Sequence, residues 1–254
     1  MLAKPLLVAV MASLVLTACS GGQRRGPPTS VINRVLATAP GEAQPSKVVA
    51  TEIEYAQAEK DEGAWAAGAR FSTPGAIWHT GEGPKTAASE FARLPEPEGT
   101  AQWGTKTVVM SCDGALAVAA GRFRDLEGKV GDYVTTWVRQ SDNSYRWSYN
   151  AAWRDDPQPP PRPQFEDGDI VVTAIDAVLG LVATCPRPGE PTPPPPALSL
   201  ASDNPANAQL SGDGTLRWRW EHMGDGTKYF AVEYFYEGEW VTAVEEGLAS
   251  APEE

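Results

Sequence analysis

The sequence predicts an α+β fold: a curved antiparallel sheet packed on N-terminal helices, with a β-meander appended at the C-terminus. Three observations carry this. Helical periodicity is confined to residues 50–69, strand-like segments joined by short turn sequences run from 103 to 152, and a second run of alternating aromatic residues lies between 215 and 244. At 254 residues, with 42% hydrophobic residues and nine tryptophans, the chain can bury one or two modest cores despite its 23 prolines and 24 glycines.

In order along the chain, Ile53, Ala56, Lys60 and the small residues around Trp65 recur at helical spacing with acids outside them. The pattern breaks at Gly63, which predicts a helix and a short second helix. Phe71–Pro84, rich in Gly, Pro and Thr, reads as mostly loop and holds Trp78 and His79. Trp103–Cys112, Ala115–Phe123, Asp132–Gln140 and Tyr145–Ala152 read as strands, separated by Asp113-Gly114, by Leu126 to Lys129 and by Ser141 to Ser144. They make an antiparallel meander that closes over the helices.

Prolines then mark the boundaries. Of the 23, 12 fall within 157–163 and 186–196, where neither a helix nor a central strand can form. Between those tracts, Asp169–Thr184 fits a strand slightly better than a helix. Thr215–Glu221, Lys228–Tyr236 and Trp240–Val244 form a second meander, which needs a partner surface and is expected to dock on the first sheet or extend it. The body thus spans 45–156, a proline-rich connection with one short element spans 157–196, and the C-terminal meander spans 197–254. No internal repeat is expected.

Charge excludes one class of partner. With 21 Lys and Arg against 33 Asp and Glu, a formal charge of -12, the chain lacks the clustered cations that nucleic acid requires. Most of the acidity lies behind residue 200, where it reads as a solvated face; the alternative is an adaptor surface for another envelope protein. Asp213-Gly214 and Asp225-Gly226 are hairpin signals rather than calcium loops.

At the N-terminus, Met1 to Lys4 supply a positive start and Pro5 to Leu16 a twelve-residue apolar stretch, too short to span a bilayer comfortably. Leu16-Thr17-Ala18-Cys19 followed by Ser20-Gly21-Gly22 resembles a bacterial lipoprotein lipobox. The resemblance implies a signal peptide over 1–18, a diacylglyceryl group on Cys19, and a membrane partner engaged through that lipid. Residues 19–44 then read as a flexible tether. The body is expected in the periplasm of a bacterial envelope, and Ser20 favours the outer membrane.

The run Val109-Met110-Ser111-Cys112-Asp113-Gly114, then Ala115 to Val118 and Gly121, then Gly131 to Trp137 and Tyr145-Arg146-Trp147, resembles the nuclear-transport-factor-2-like superfamily. Within it the likeness is to the envelope branch related to the SnoaL and ketosteroid-isomerase-like groups. It covers 45–156 and implies a cone-shaped α+β scaffold that hosts enzymes, binding modules and adaptors alike.

With Cys19 assigned to lipid, Cys112 and Cys185 remain in an oxidising compartment, which predicts a disulfide; two buried free thiols are the alternative. Two distant histidines offer no zinc site, and neither a metal nor a cofactor is expected. The residues expected to line a pocket are Tyr55, Trp78, His79, Trp103, Asp132, Trp137 and Asn150. No acid–base pair stands out among them, and no nucleophile or phosphate-binding motif is present. No catalytic residue is assigned. The expected function is a non-enzymatic envelope lipoprotein binding a small apolar ligand or a protein partner; the alternative is an isomerase or hydro-lyase acting on a small cyclic substrate.

Overall fold

Residue parity along the strands decides which side chains meet across this protein's sheets. The computed structural model describes residues 42–160, 177–187, 189–197, 207–224 and 226–248. The leader, Cys19, the tether up to residue 41, residues 169–176 and Asp225 lie outside the described residues.

Helix α1 (Pro45–Glu62) starts on a proline and ends at Gly63, whose φ of 96° suits glycine; α2 (Ala64–Phe71) starts there. The inward stripe of α1 is Val48, Glu52, Tyr55 and Glu59, spaced i, i+4, i+7 and i+11. Ile53, expected on the apolar face, is 66% exposed. The inner face is therefore rotated from the expected one, and two acids point inward.

Phe71–Pro84 is not a loop. It forms β1 (Ser72–Thr80) and the start of β2 (Gly83–Thr86), an antiparallel hairpin whose β1 also runs parallel to β6 (Tyr145–Arg154). Its Gly and Pro are accommodated as edges and irregularities. Pro84 sits in the edge strand, and a register shift between Ser72 and Ile77 absorbs Pro74 and Gly75. After α3 (Ala87–Phe91) come β3 (Gln102–Met110), β4 (Leu116–Arg124) and β5 (Val130–Arg139), which with β6 form the expected meander. Strand β7 (Leu179–Val182) adds parallel to β3. The seven-stranded sheet, in order β2-β1-β6-β5-β4-β3-β7, is therefore mixed rather than antiparallel.

A second, antiparallel sheet orders β11 (Glu239–Leu248), β10 (Lys228–Tyr236), β9 (Leu216–His222) and β8 (Ala208–Leu210). Both sheets lie within one compact unit, Thr38–Glu254. One face of the first sheet packs Val108, Met110, Ala119, Trp137 and Trp147 against the helices through Val48 and Phe91. The opposite face packs Val118, Val134, Tyr149 and Trp153 against Trp218, Trp220, Phe230 and Val232 of the second sheet. A bulge between Thr136 and Trp137, opposite Ser148, switches parity, so Trp147 faces the helices while Tyr149 faces the second sheet. Among the described residues no helix is long and apolar enough to cross a membrane.

Two turns correct the expectation that nothing repeats. Ser111-Cys112-Asp113-Gly114-Ala115-Leu116 and Ser211-Gly212-Asp213-Gly214-Thr215-Leu216 share one hydrogen-bond pattern. In each, Ser Oγ donates to Asp Oδ1 at 2.6 Å, Gly N–H donates to the Ser carbonyl at 2.9 Å, and Leu N–H donates to Ser Oγ. The turns also clasp each other. Asp113 N–H donates to Asp213 Oδ2 at 2.8 Å, and Cys112 N–H donates to Thr215 Oγ1 at 3.0 Å.

Cys112 in the first turn is disulfide-bonded to Cys185, which follows β7, at a sequence separation of 73. Closing so long a loop restricts the unfolded chain, so reduction is expected to cost about 2–4 kcal/mol. Thermal melts with and without dithiothreitol check this: the midpoint should fall by several degrees, and an unchanged midpoint would refute it.

Candidate functional site

Strand parity places a row of side chains under the helices. Trp103 and Thr105 on β3, Phe123 on β4, Tyr133 and Thr135 on β5, and Asn150, Ala152 and Arg154 on β6 share that face. Between them and the helices lies a cavity of about 510 Å³, within the range of small-molecule sites. Its walls are largely aromatic, with Tyr55 from α1, Trp65 from α2, Trp78 from β1, Phe91 from α3, Trp103 and Trp147. Gly121 on β4, paired with Tyr133 on this face, leaves no room for a side chain. A Cβ there would meet the Gly104 carbonyl at 2.2 Å and the Tyr133 ring at 2.9 Å.

Glu52 forms the polar floor. It is 3% exposed, and its Oε1 accepts the Trp137 indole N–H at 2.8 Å while its Oε2 accepts the Tyr133 hydroxyl at 2.8 Å. The Thr105 hydroxyl stands 3.4 Å from Oε2 and 3.2 Å from the Tyr133 oxygen. Burial pushes the Glu52 carboxyl up, against the pull of these donors. Two turns along α1, burial raises Glu59 to about 7; its hydrogen bond to Tyr55 works downward and the nearby Glu96 carboxylate upward. Glu96 is held at the start of α2, where its Oε1 accepts the Trp65 backbone N–H at 3.3 Å. At the rim, Arg154 is paired with Asp125 at 2.6 Å and Glu127 at 2.7 Å.

Of the residues expected to line a pocket, Tyr55, Trp78, Trp103 and Asn150 line this one. Asn150 donates Nδ2–H to Thr135 Oγ1 at 2.9 Å. Trp137, fully buried, lies beneath the cavity as a donor to Glu52 rather than in its wall. Asp132 and His79 do not line this cavity, because parity turns both to the opposite face, where Asp132 borders a separate pocket with Arg122 and Trp153. Asp132 sits across from Arg122 in register and pairs with it at 2.6 Å.

His79 lies beside Ala151 on the parallel β1–β6 pair, 1% exposed between the two sheets. Its Nδ1 is 2.7 Å from the Tyr149 hydroxyl and its Nε2 is 3.0 Å from His222 Nδ1, so the chain's two histidines, distant in sequence, touch. Burial, reinforced by Lys228 and His222, pushes His79 down to about 3. Among the described residues no three His, Cys, Asp or Glu side chains converge as a metal-binding group.

Glu52 and Glu59 are the site residues that the sequence reading missed. The usable signal was the pairing of Val48 with Tyr55 seven residues on, which defines a helix face passing through both glutamates. A scan against protein-family models finds no match to this chain, and a search of curated proteins finds none either.

Proposed function

We propose that the protein is a bacterial envelope lipoprotein whose helix–sheet body, nuclear-transport-factor-2-like in kind, binds a small, largely apolar ligand in the aromatic cavity. The observation that carries this reading is the cavity itself, about 510 Å³ and walled by eight aromatic side chains that converge from three helices and five strands. The lipobox-like sequence around Cys19 supports anchorage to a membrane, with the tether holding the body off its surface. Two measurements test it. The neutral fluorophore N-phenyl-1-naphthylamine should bind with a stoichiometry of one, and Ala101→Trp, which fills the cavity from a loop, should weaken it at least tenfold with little change in melting temperature. Cys19→Ala should move the protein from the membrane to the soluble fraction. Equal binding by the filled variant would remove the cavity from the proposal.

One feature favours a second reading, an isomerase. A carboxyl raised by burial to about 7 and hydrogen-bonded to a tyrosine has the poise of a general base. Conversion of cyclohex-3-enone to its conjugated isomer, followed by ultraviolet absorbance, should then be accelerated and should fall at least 100-fold in Glu59→Gln. No acceleration over buffer would dismiss this reading.

A further inference from the structure

We propose that the cavity takes a hydrophobic amine in its protonated form: an aromatic or branched-alkyl body bearing one ammonium group. The inference rests on the ligand-binding reading above and names the ligand's class.

Charge points to the sign of the ligand. The lining carries the carboxyls of Glu52, Glu59, Asp125 and Glu127 and one cation, Arg154, which is already shared between Asp125 and Glu127. Glu52 is taken up by the donors of Trp137 and Tyr133. Glu59 has the Tyr55 hydroxyl as its donor and no cation beside it in the lining, so it is the carboxyl able to meet a charged occupant, and an anionic ligand would enter against it.

The walls point the same way. Trp65, Trp78 and Phe91 stand with ring centroids 5.1 to 5.5 Å apart, and Tyr55 stands 5.3 Å from Trp103. These two aromatic groups border one space with Glu59. Aromatic faces hold alkylammonium ions electrostatically, and more strongly once water is excluded.

Three matched probes test the class by calorimetric titration of the full chain at pH 8: 4-methoxyphenethylammonium, the corresponding neutral alcohol, and 3-(4-methoxyphenyl)propionate. The ammonium is expected to bind about tenfold tighter than the alcohol, and the carboxylate weakest. Glu59→Gln should bring the ammonium-to-alcohol ratio within about twofold of one, whereas Glu59→Asp, which keeps the charge, should retain a clear preference.

The preference should also be larger at pH 8 than at pH 6, since ionised Glu59 is the binding form and its titration lies near 7. The titratable groups around it are Tyr55 and Glu52 on α1 and Glu96 before β3, with Asp125, Glu127 and Arg154 across the cavity. An alcohol that binds as tightly as the ammonium overturns the amine assignment and leaves ligand binding standing. Failure of all three probes to bind overturns both.

Discussion

Glu52→Leu is expected to cost about 3–5 kcal/mol of folding stability. Leucine fills similar space but offers no acceptor. The Trp137 indole N–H and the Tyr133 hydroxyl, both buried and aimed at the carboxylate, then lose their partner. Leucine also keeps out the water that a smaller residue would admit. Glu52→Gln retains one carbonyl oxygen and is expected to lose about half as much. Urea unfolding followed by tryptophan fluorescence measures both, and native-like stability for the leucine variant would show that the carboxylate holds nothing together.

The second large effect is a dependence on pH that belongs to His79. In the unfolded chain an imidazole takes up a proton near 6.5, whereas between the sheets His79 stays neutral down to about 3. Over that window the unfolded state binds more protons. The stability that neutral His79 confers is complete above 6.5 and drains away at about 1.4 kcal/mol per pH unit as the solution is acidified.

The groups facing the ring are Tyr149 on β6, His222 on β9 and Lys228 on β10, none of them a carboxylate able to hold the imidazolium. Glu59 acts with the opposite sign. Its raised folded value makes the native state the better proton binder between 4.5 and 7, a contribution present at acid pH and lost as pH rises through 7. The native curve alone is therefore flattened, and the comparison with His79→Gln isolates the histidine. The gap between the two proteins should shift steadily against the native chain from pH 6.5 to 4. A gap independent of pH would place the imidazole elsewhere.

Elements whose pattern is local could be read from the sequence. β3 to β6 alternate or carry β-branched runs between Asp-Gly and Ser-Asp turns, and they stand within two residues of their expected bounds; β10 matches to the residue. The Cys112–Cys185 bridge followed from counting thiols. What depended on distant partners was hidden. β1 is a strand because β6 lies beside it, with Tyr149, Asn150 and Ala151 pairing Ile77, Trp78 and His79; its own composition, broken by Pro74 and Gly75, says turn.

The three-residue β8 is too short to show any period. The candidate site was half legible. Tyr55, Trp78, Trp103 and Asn150 were visible as aromatic and polar residues of an expected pocket, but Glu52 and Glu59 were read as solvent-facing because carboxylates usually are. The matched Ser111 and Ser211 turns were a different failure, since both motifs stand openly in the chain one hundred residues apart.

The clasp between those turns restricts what this chain can assemble into. Each sheet spends one broad face on the other, and the first sheet's remaining face is roofed by helices. A second copy or another protein is left with the rims, where β2 and β7 end one sheet and β8 and β11 the other, or with the outer surfaces. Association by strand addition along a rim would leave the cavity untouched, since none of its lining residues belongs to β2, β7, β8 or β11.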